Sequence, residues 1–149
     1  MVDLLSPSER SERMSRIRSS NTAPEVALRR AMHALGFRFR LHSKGLPGKP
    51  DIVLPRYKTV IFVHGCFWHR HRGCKVATTP KTNTEFWVEK FDRNVVRDER
   101  TREQLEGLGW RVIVVWECEL RSANQVAGAV RRVADEICPE RFVGAPAGN

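Results

Sequence analysis

The sequence predicts an α/β (α+β mixed) fold in a single domain, with a central mixed β-sheet flanked by helices. Three observations carry that prediction. Segments of helical and strand period follow one another in the order α-β-β-β-α-β-α. A long helical segment separates the third and fourth strand segments, as a crossover between parallel neighbours requires. Apolar residues make up 41% of 149, a globular composition with enough chain for one core.

Each element has its own local reason. Residues 1–21 are polar and rich in Arg and Ser, with Met14 and Ile17 the main apolar points, and are expected to form an N-terminal arm. The domain is expected over 22–138 and a tail over 139–149. "TAPEVALRRAMHALGF" opens with Thr22 as N-cap, Pro24 in the first turn and Glu25 at the capping-box position. Val26, Leu28, Ala31, Met32 and Leu35 then recur at helical spacing, and Gly36 ends the run.

"FRFRLH" alternates apolar and basic residues, the pattern of a strand with one wet face. "SKGLPGKP" is a loop rich in turn formers. "DIVLP" and "TVIFVH" are short β-branched runs expected to form a hairpin around "RYK". "NTEFWVEKFDRNVVRDERTREQLEGLG" is a long helix closed by Gly107 or Gly109. "WRVIVVWE" is the most apolar strand and is expected at the centre of the sheet. "SANQVAGAVRRVADEIC" is a last amphipathic helix.

The formal net charge is +9, which points to a polyanionic partner, most simply nucleic acid. The basic residues are spread along the chain, unlike a basic amphipathic membrane helix. No apolar run approaches the roughly 20 residues that span a bilayer. The first residues hold no apolar core of signal-peptide length, so a cytoplasmic protein is expected.

The chemistry concentrates in "VHGCFWHRHRGC", Val63 to Cys74. In a reducing compartment Cys66, Cys74, Cys118 and Cys138 are metal ligands or free thiols rather than disulfides. Cys66, His71, Cys74 and Cys118 make a Cys₃His set suited to a closed structural zinc site. Cys118 follows a distant strand, so such a metal would staple the loop to the sheet. Spacing alone does not force the division, because His64 and His69 compete for the same seats. Cys138 reads as a small buried apolar residue. Asp51 opens a strand, where it is either a turn residue or a carboxylate poised beside the end of "VIFVH" to hold Mg²⁺.

"LPGKPDIVLPRYKTVIFVHGCFWHRHRGC", "TEFWVEKFDRNVVRD" and "GWRVIVVWECEL" together closely resemble the very short patch repair (Vsr) DNA mismatch endonucleases, from about Arg13 to Leu120. The resemblance implies a restriction-endonuclease-like fold in a bacterial, nucleoid-associated monomer. It implies Mg²⁺-dependent nicking 5′ of the thymine in a T:G mismatch, the product of 5-methylcytosine deamination, with mismatch-repair proteins as possible partners. By the same resemblance Asp51 and the backbone carbonyl of Val63 hold Mg²⁺. His69 is the candidate base, His64 supports the phosphate, and Glu25 orders the metal's water shell. Cys66, His71, Cys74 and Cys118 hold structural Zn²⁺.

The resemblance also implies that Phe67, Trp68 and Trp87 wedge into the base stack from the major groove, and Met14 from the minor groove. Lys90 and Asn94 are expected to hydrogen-bond the mismatched pair. Without the resemblance, Glu25 reads as a cap, Trp87 as helix core beside Val88, Phe91 and Val95, and Lys90 and Asn94 as solvated residues. The chain departs from the family pattern in carrying valine at 63 instead of threonine, and in one extra residue between His71 and Cys74. Two other readings stay open: a restriction-type endonuclease on matched duplex, and a non-catalytic zinc-stapled DNA-binding module.

Overall fold

The computed structural model describes residues 21–75 and 77–139. The arm, Met14 included, lies outside the described residues except for Asn21, and the tail except for Pro139.

Helix α1 spans Ala23–Ala34. Thr22 caps it, its side chain accepting from the Glu25 amide at 3.4 Å. Only half of the expected capping box forms, because the Glu25 carboxylate turns away into the interior and is 2% exposed. Gly36, at φ +100°, ends the turn. Strand β1 is short, Arg40–Leu41. The longer strand read over "FRFRLH" is cut back at both ends. Phe37 is drawn into the core, and His42 adopts a left-handed backbone at φ +48°.

Strands β2 (Ile52–Leu54) and β3 (Thr59–His64) form the expected antiparallel hairpin, with Val53 opposite Val60. A 3₁₀ turn, Pro55–Tyr57, and left-handed Lys58 at φ +50° join them. Helix α2, Thr84–Gly107, is the crossover, and Gly109 at φ +91° makes the turn beyond it. Strand β4, Arg111–Trp116, then runs parallel to β3, with Val60 beside Val112. A 3₁₀ turn, Glu117–Leu120, leads to helix α3, Ala123–Ile137, capped by the Ser122 hydroxyl.

The sheet order is β1-β2-β3-β4, so β4 is an edge strand among the described residues and not the centre. Its apolar character has another cause: both of its faces are covered by helices. Ile52, Leu54, Ile61, Ile113 and Val115 pack with Leu28 and Met32 of α1 and Val130, Val133 and Ile137 of α3. Val53, Val60 and Val112 pack on the other face with Leu105 of α2. A strand covered on both faces reads as a continuous apolar run wherever it lies in the sheet.

The loop leading to β2 is pressed against α2 at Gly48. A Cβ added there would lie 2.4 Å from Thr101 Cγ2, and the backbone sits at φ +74°. Gly48→Ala is therefore expected to destabilise the protein by about 1–3 kcal/mol, through overpacking and a left-handed alanine. Gly45→Ala, where nothing lies within 4 Å, is the control. Thermal unfolding of the two variants checks this; equal melting temperatures would rule it out.

Candidate active site

The hairpin and the start of α1 bring Asp51 and Glu25 together at one end of the sheet. Asp51 Oδ2 accepts the Val63 amide at 2.7 Å, so the two strands are tied across the cleft by a side chain as well as by the ladder. Glu25 and Asp51 are in hydrogen-bond contact. Burial, then the neighbouring Glu25 charge, pushes the Asp51 carboxyl from 3.8 up to about 6, against the Val63 amide that pulls it down. Above that pH the cleft holds an ionised aspartate that its surroundings disfavour. A cation in contact with it would offset that cost.

Two more groups complete this corner. Arg29 Nη1 donates to Glu25 Oε2 at 3.0 Å, and His42 Nε2 lies 2.6 Å from the same oxygen. Glu25, His42 and Asp51 each offer a ligand atom within 4.8 Å of the others.

Across the cleft, His64 at the end of β3 stacks on His69, ring centroids 3.9 Å apart and planes at 6°. His69 Nδ1 lies 2.5 Å from Asp98 Oδ2 on α2. Partial burial pushes the Asp98 carboxyl up, but its hydrogen bond to His69 and the charges of His69, His64 and Arg97 outweigh burial and hold it below 3.8. An ionised Asp98 fixes the proton of His69 on Nδ1 and leaves Nε2 as the basic nitrogen. Asp51, Glu25, His64, His69, Asp98, Lys49 and Arg97 all line one cleft of about 480 Å³.

Cys66, His71, Cys74 and Cys118 also converge, with their ligand atoms within 4.8 Å of one another. Cys118 Sγ is 3.4 Å from His71 Nδ1, and the His71 ring stacks on Trp116 at 4.3 Å. The loop is a series of turns, His71 N–H to Cys66 O and Cys74 N–H to His71 O. Gly73, at φ +77°, makes the turn before Cys74. Burial pushes the Cys66 thiol up to about 12 when its neighbours are thiols. Such a set is suited to a soft divalent ion, which deprotonates its thiols on binding.

The aromatics differ from expectation. Phe67 and Trp68 do not project from the loop. Trp68 and Trp87 are 4% and 2% exposed and pack with Phe91, with Phe67 and Phe86 against them. Apolar ring faces left in water would be costly, and the long helix α2 offers a partner surface. Val88 and Val95, expected beside them, are exposed instead.

Lys90 lies over the Trp68 ring at 5.4 Å, and buried Asn94 donates to the Trp68 carbonyl at 3.2 Å. Both thus face the expected side of α2: Asn94 is buried against the cluster, and Lys90 is half-buried over it. Arg70 braces the loop: it donates to the carbonyls of Phe67, Ala77 and Thr78 and lies over the Phe91 ring at 3.9 Å.

Sequence reading missed His42, Arg70 and Asp98. Asp98 was within reach, since it extends the Trp87, Asn94 stripe by one more turn of α2. No local pattern marks His42 or Arg70, both of which take left-handed backbone in loops.

The family model described as DNA mismatch endonuclease Vsr matches residues 2–75. The type II nicking enzyme V.XorIIP of Xanthomonas oryzae pv. oryzae is 47% identical over 135 residues, 91% of this chain and 98% of that protein. The type II nicking enzyme V.NmeAIP of Neisseria meningitidis is 46% identical over 137 residues, 92% and 97% of the two chains. The DNA mismatch endonuclease Vsr of Escherichia coli is 42% identical over 142 residues, 94% of this chain and 90% of that one. The chain belongs to the Vsr DNA mismatch endonuclease family and is a DNA endonuclease.

Proposed function

We propose that this endonuclease nicks one strand of a duplex 5′ of the thymine in a T:G mismatch, in a Mg²⁺-dependent reaction. The observation that carries the reading is the cleft in which Asp51 faces His64 and the His69–Asp98 pair. The related Escherichia coli protein carries the name mismatch endonuclease, which supports the choice of substrate. Membership in an endonuclease family decides against a non-catalytic DNA-binding module.

In this reading Asp51 and the Val63 carbonyl would hold Mg²⁺, which when bound screens the phosphate and stabilises charge developing on it. The donors fit: a buried carboxyl pushed up to about 6 beside a second carboxyl is a pair that a hard cation satisfies. His69, held by Asp98 through Nδ1, takes a proton from the attacking water at Nε2. His64, stacked on His69, keeps that ring from rotating and faces the phosphate. Glu25 hydrogen-bonds water beside Asp51. Lys49 and Arg97, lining the same cleft, meet the phosphate backbone with positive charge. Cys66, His71, Cys74 and Cys118 would hold Zn²⁺ as a structural staple.

The fold is taken as restriction-endonuclease-like, with Met14 on an N-terminal DNA-contacting arm. The enzyme acts as a monomer in the cytoplasm at the nucleoid, and hands its nick to mismatch-repair proteins. No helix among the described residues is long and apolar enough to cross a membrane. Phe67, Trp68 and Trp87 serve as wedges once DNA takes the place of their mutual packing, and Lys90 and Asn94 turn to the mismatched pair. Exchange of ring–ring for ring–base stacking keeps that step inexpensive. The arm and the wedges are tested together by tryptophan fluorescence during titration with mismatched duplex.

The deciding experiment gives purified protein and Mg²⁺ three duplexes, T:G-mismatched, matched and methylated. A nick confined to the thymine strand of the mismatch is the expected result. Cleavage of both strands of the matched duplex would instead establish a restriction-type enzyme. Asp98→Asn is expected to slow single-turnover nicking about 10²- to 10⁴-fold, the usual span of general-base catalysis, with little change in DNA affinity. An unchanged rate would remove Asp98 from the mechanism.

A further inference from the structure

We propose that His42 is a direct ligand of the catalytic metal beside Asp51, with Glu25 ordering its water, so that the site has mixed nitrogen–oxygen donors and favours Mn²⁺ over Mg²⁺. The proposal rests on the reading of Asp51 as a metal ligand and adds a donor to it. Three features of the geometry support it. His42 Nε2 lies 2.6 Å from Glu25 Oε2, and one ligand atom from each of Glu25, His42 and Asp51 falls within 4.8 Å of the others. Side chains placed this close could hold one divalent ion between them.

The backbone, too, presents the imidazole deliberately. His42 takes a left-handed backbone at φ +48°, and its amide donates to the Asp51 carbonyl at 3.2 Å. The residue that carries the nitrogen is thus tied to the residue that carries the carboxylate.

Glu25 is 2% exposed and has Arg29 and His42 on the same oxygen, Oε2, so Oε1 carries neither contact. Oxygen-only sites suit Mg²⁺, which retains its waters and resists nitrogen ligands. An imidazole donor moves preference along the first-row series toward Mn²⁺ and beyond.

The test uses the full zinc-loaded chain without DNA. Mn²⁺ binding is followed by the loss of the free-ion electron paramagnetic resonance signal, and Mg²⁺ by competition. Electron spin-echo envelope modulation then reports whether ¹⁴N of an imidazole is bound to Mn²⁺. The expected result is one Mn²⁺ site, about tenfold or more tighter than for Mg²⁺, with ¹⁴N modulation that His42→Gln abolishes. His42→Gln should weaken Mn²⁺ about tenfold and Mg²⁺ less than about threefold.

Wild-type Mn²⁺ without ¹⁴N modulation, or modulation that survives in His42→Gln, overturns the role of His42 while leaving the Asp51 site standing. Unaltered Mn²⁺ binding in Asp51→Ala overturns the Asp51 reading itself. Absence of any saturable Mn²⁺ site overturns both. Circular dichroism and zinc content confirm that each variant is folded.

Discussion

Asp51→Asn and Asp51→Ala are each expected to reduce nicking by about 10³-fold or more. A metal that stabilises several kcal/mol of transition-state charge is lost with its carboxylate, and each 1.36 kcal/mol is about tenfold in rate. Stability should move differently in the two variants. Burial and the Glu25 charge raise the Asp51 carboxyl from 3.8 to about 6, so the folded protein favours the protonated form. A raised carboxyl is a stabilising contribution below the unfolded value, and it is lost as pH rises through about 6.

Asparagine keeps the acceptor for the Val63 amide, 2.7 Å away, and removes the charge. Without added Mg²⁺, Asp51→Asn should therefore melt no lower than wild type at pH 7–8. Its advantage should fade as pH falls from about 6 toward 3.8, where wild type is itself neutral. Alanine leaves the half-buried Val63 amide without its partner, at a cost of about 1 kcal/mol. Melting temperature against pH, read beside a single-turnover nicking assay, checks both halves. Residual activity within about tenfold of wild type would sink Asp51 as the metal ligand.

Cys118→Ser is expected to release about one zinc per chain and lower stability by several kcal/mol, a fall in melting temperature of about 10 °C or more. The four ligand atoms come from two segments, Cys66 to Cys74 in the loop and Cys118 beyond β4, and lie within 4.8 Å of one another. Closing that long loop costs chain entropy that the ion supplies by bonding. Metal loss should also be steep in pH. Burial pushes the metal-free Cys66 thiol up to about 12, so binding must release its proton, and acid competes for the site.

Cys138→Ser, at the end of α3 and outside the cluster, should leave zinc content unchanged. Zinc analysis by mass spectrometry, with proton release on reconstitution, distinguishes the two. Equal zinc in wild type and Cys118→Ser would refute the staple.

The hairpin around Arg56–Lys58, the crossover helix and the parallel β3–β4 pair were legible because each rests on local pattern. The same patterns misled where tertiary packing decided the outcome. β4 looked central because it is apolar, and it is apolar because helices cover both its faces. Phe67 and Trp68 looked free because they sit between metal ligands, yet α2 supplied Trp87 and Phe91 to bury them. Glu25 looked like a cap residue, and its backbone amide does donate to the Thr22 hydroxyl. Its carboxylate joins Asp51 and His42 only because β1 and β2 fold back onto α1.

By itself the sequence determined the element order, the cysteine and histidine content of the loop and the family to which the chain belongs. These properties reside in periodicity and in residue types at fixed spacing, which survive without coordinates. Only the tertiary structure decided that His42 reaches Glu25, that Asp98 holds His69, and that Phe67, Trp68, Trp87 and Phe91 are packed together. The physical reason is the same in each case. Residues 17 and 29 positions apart meet through sheet register and helix facing, and no local window of sequence contains both partners.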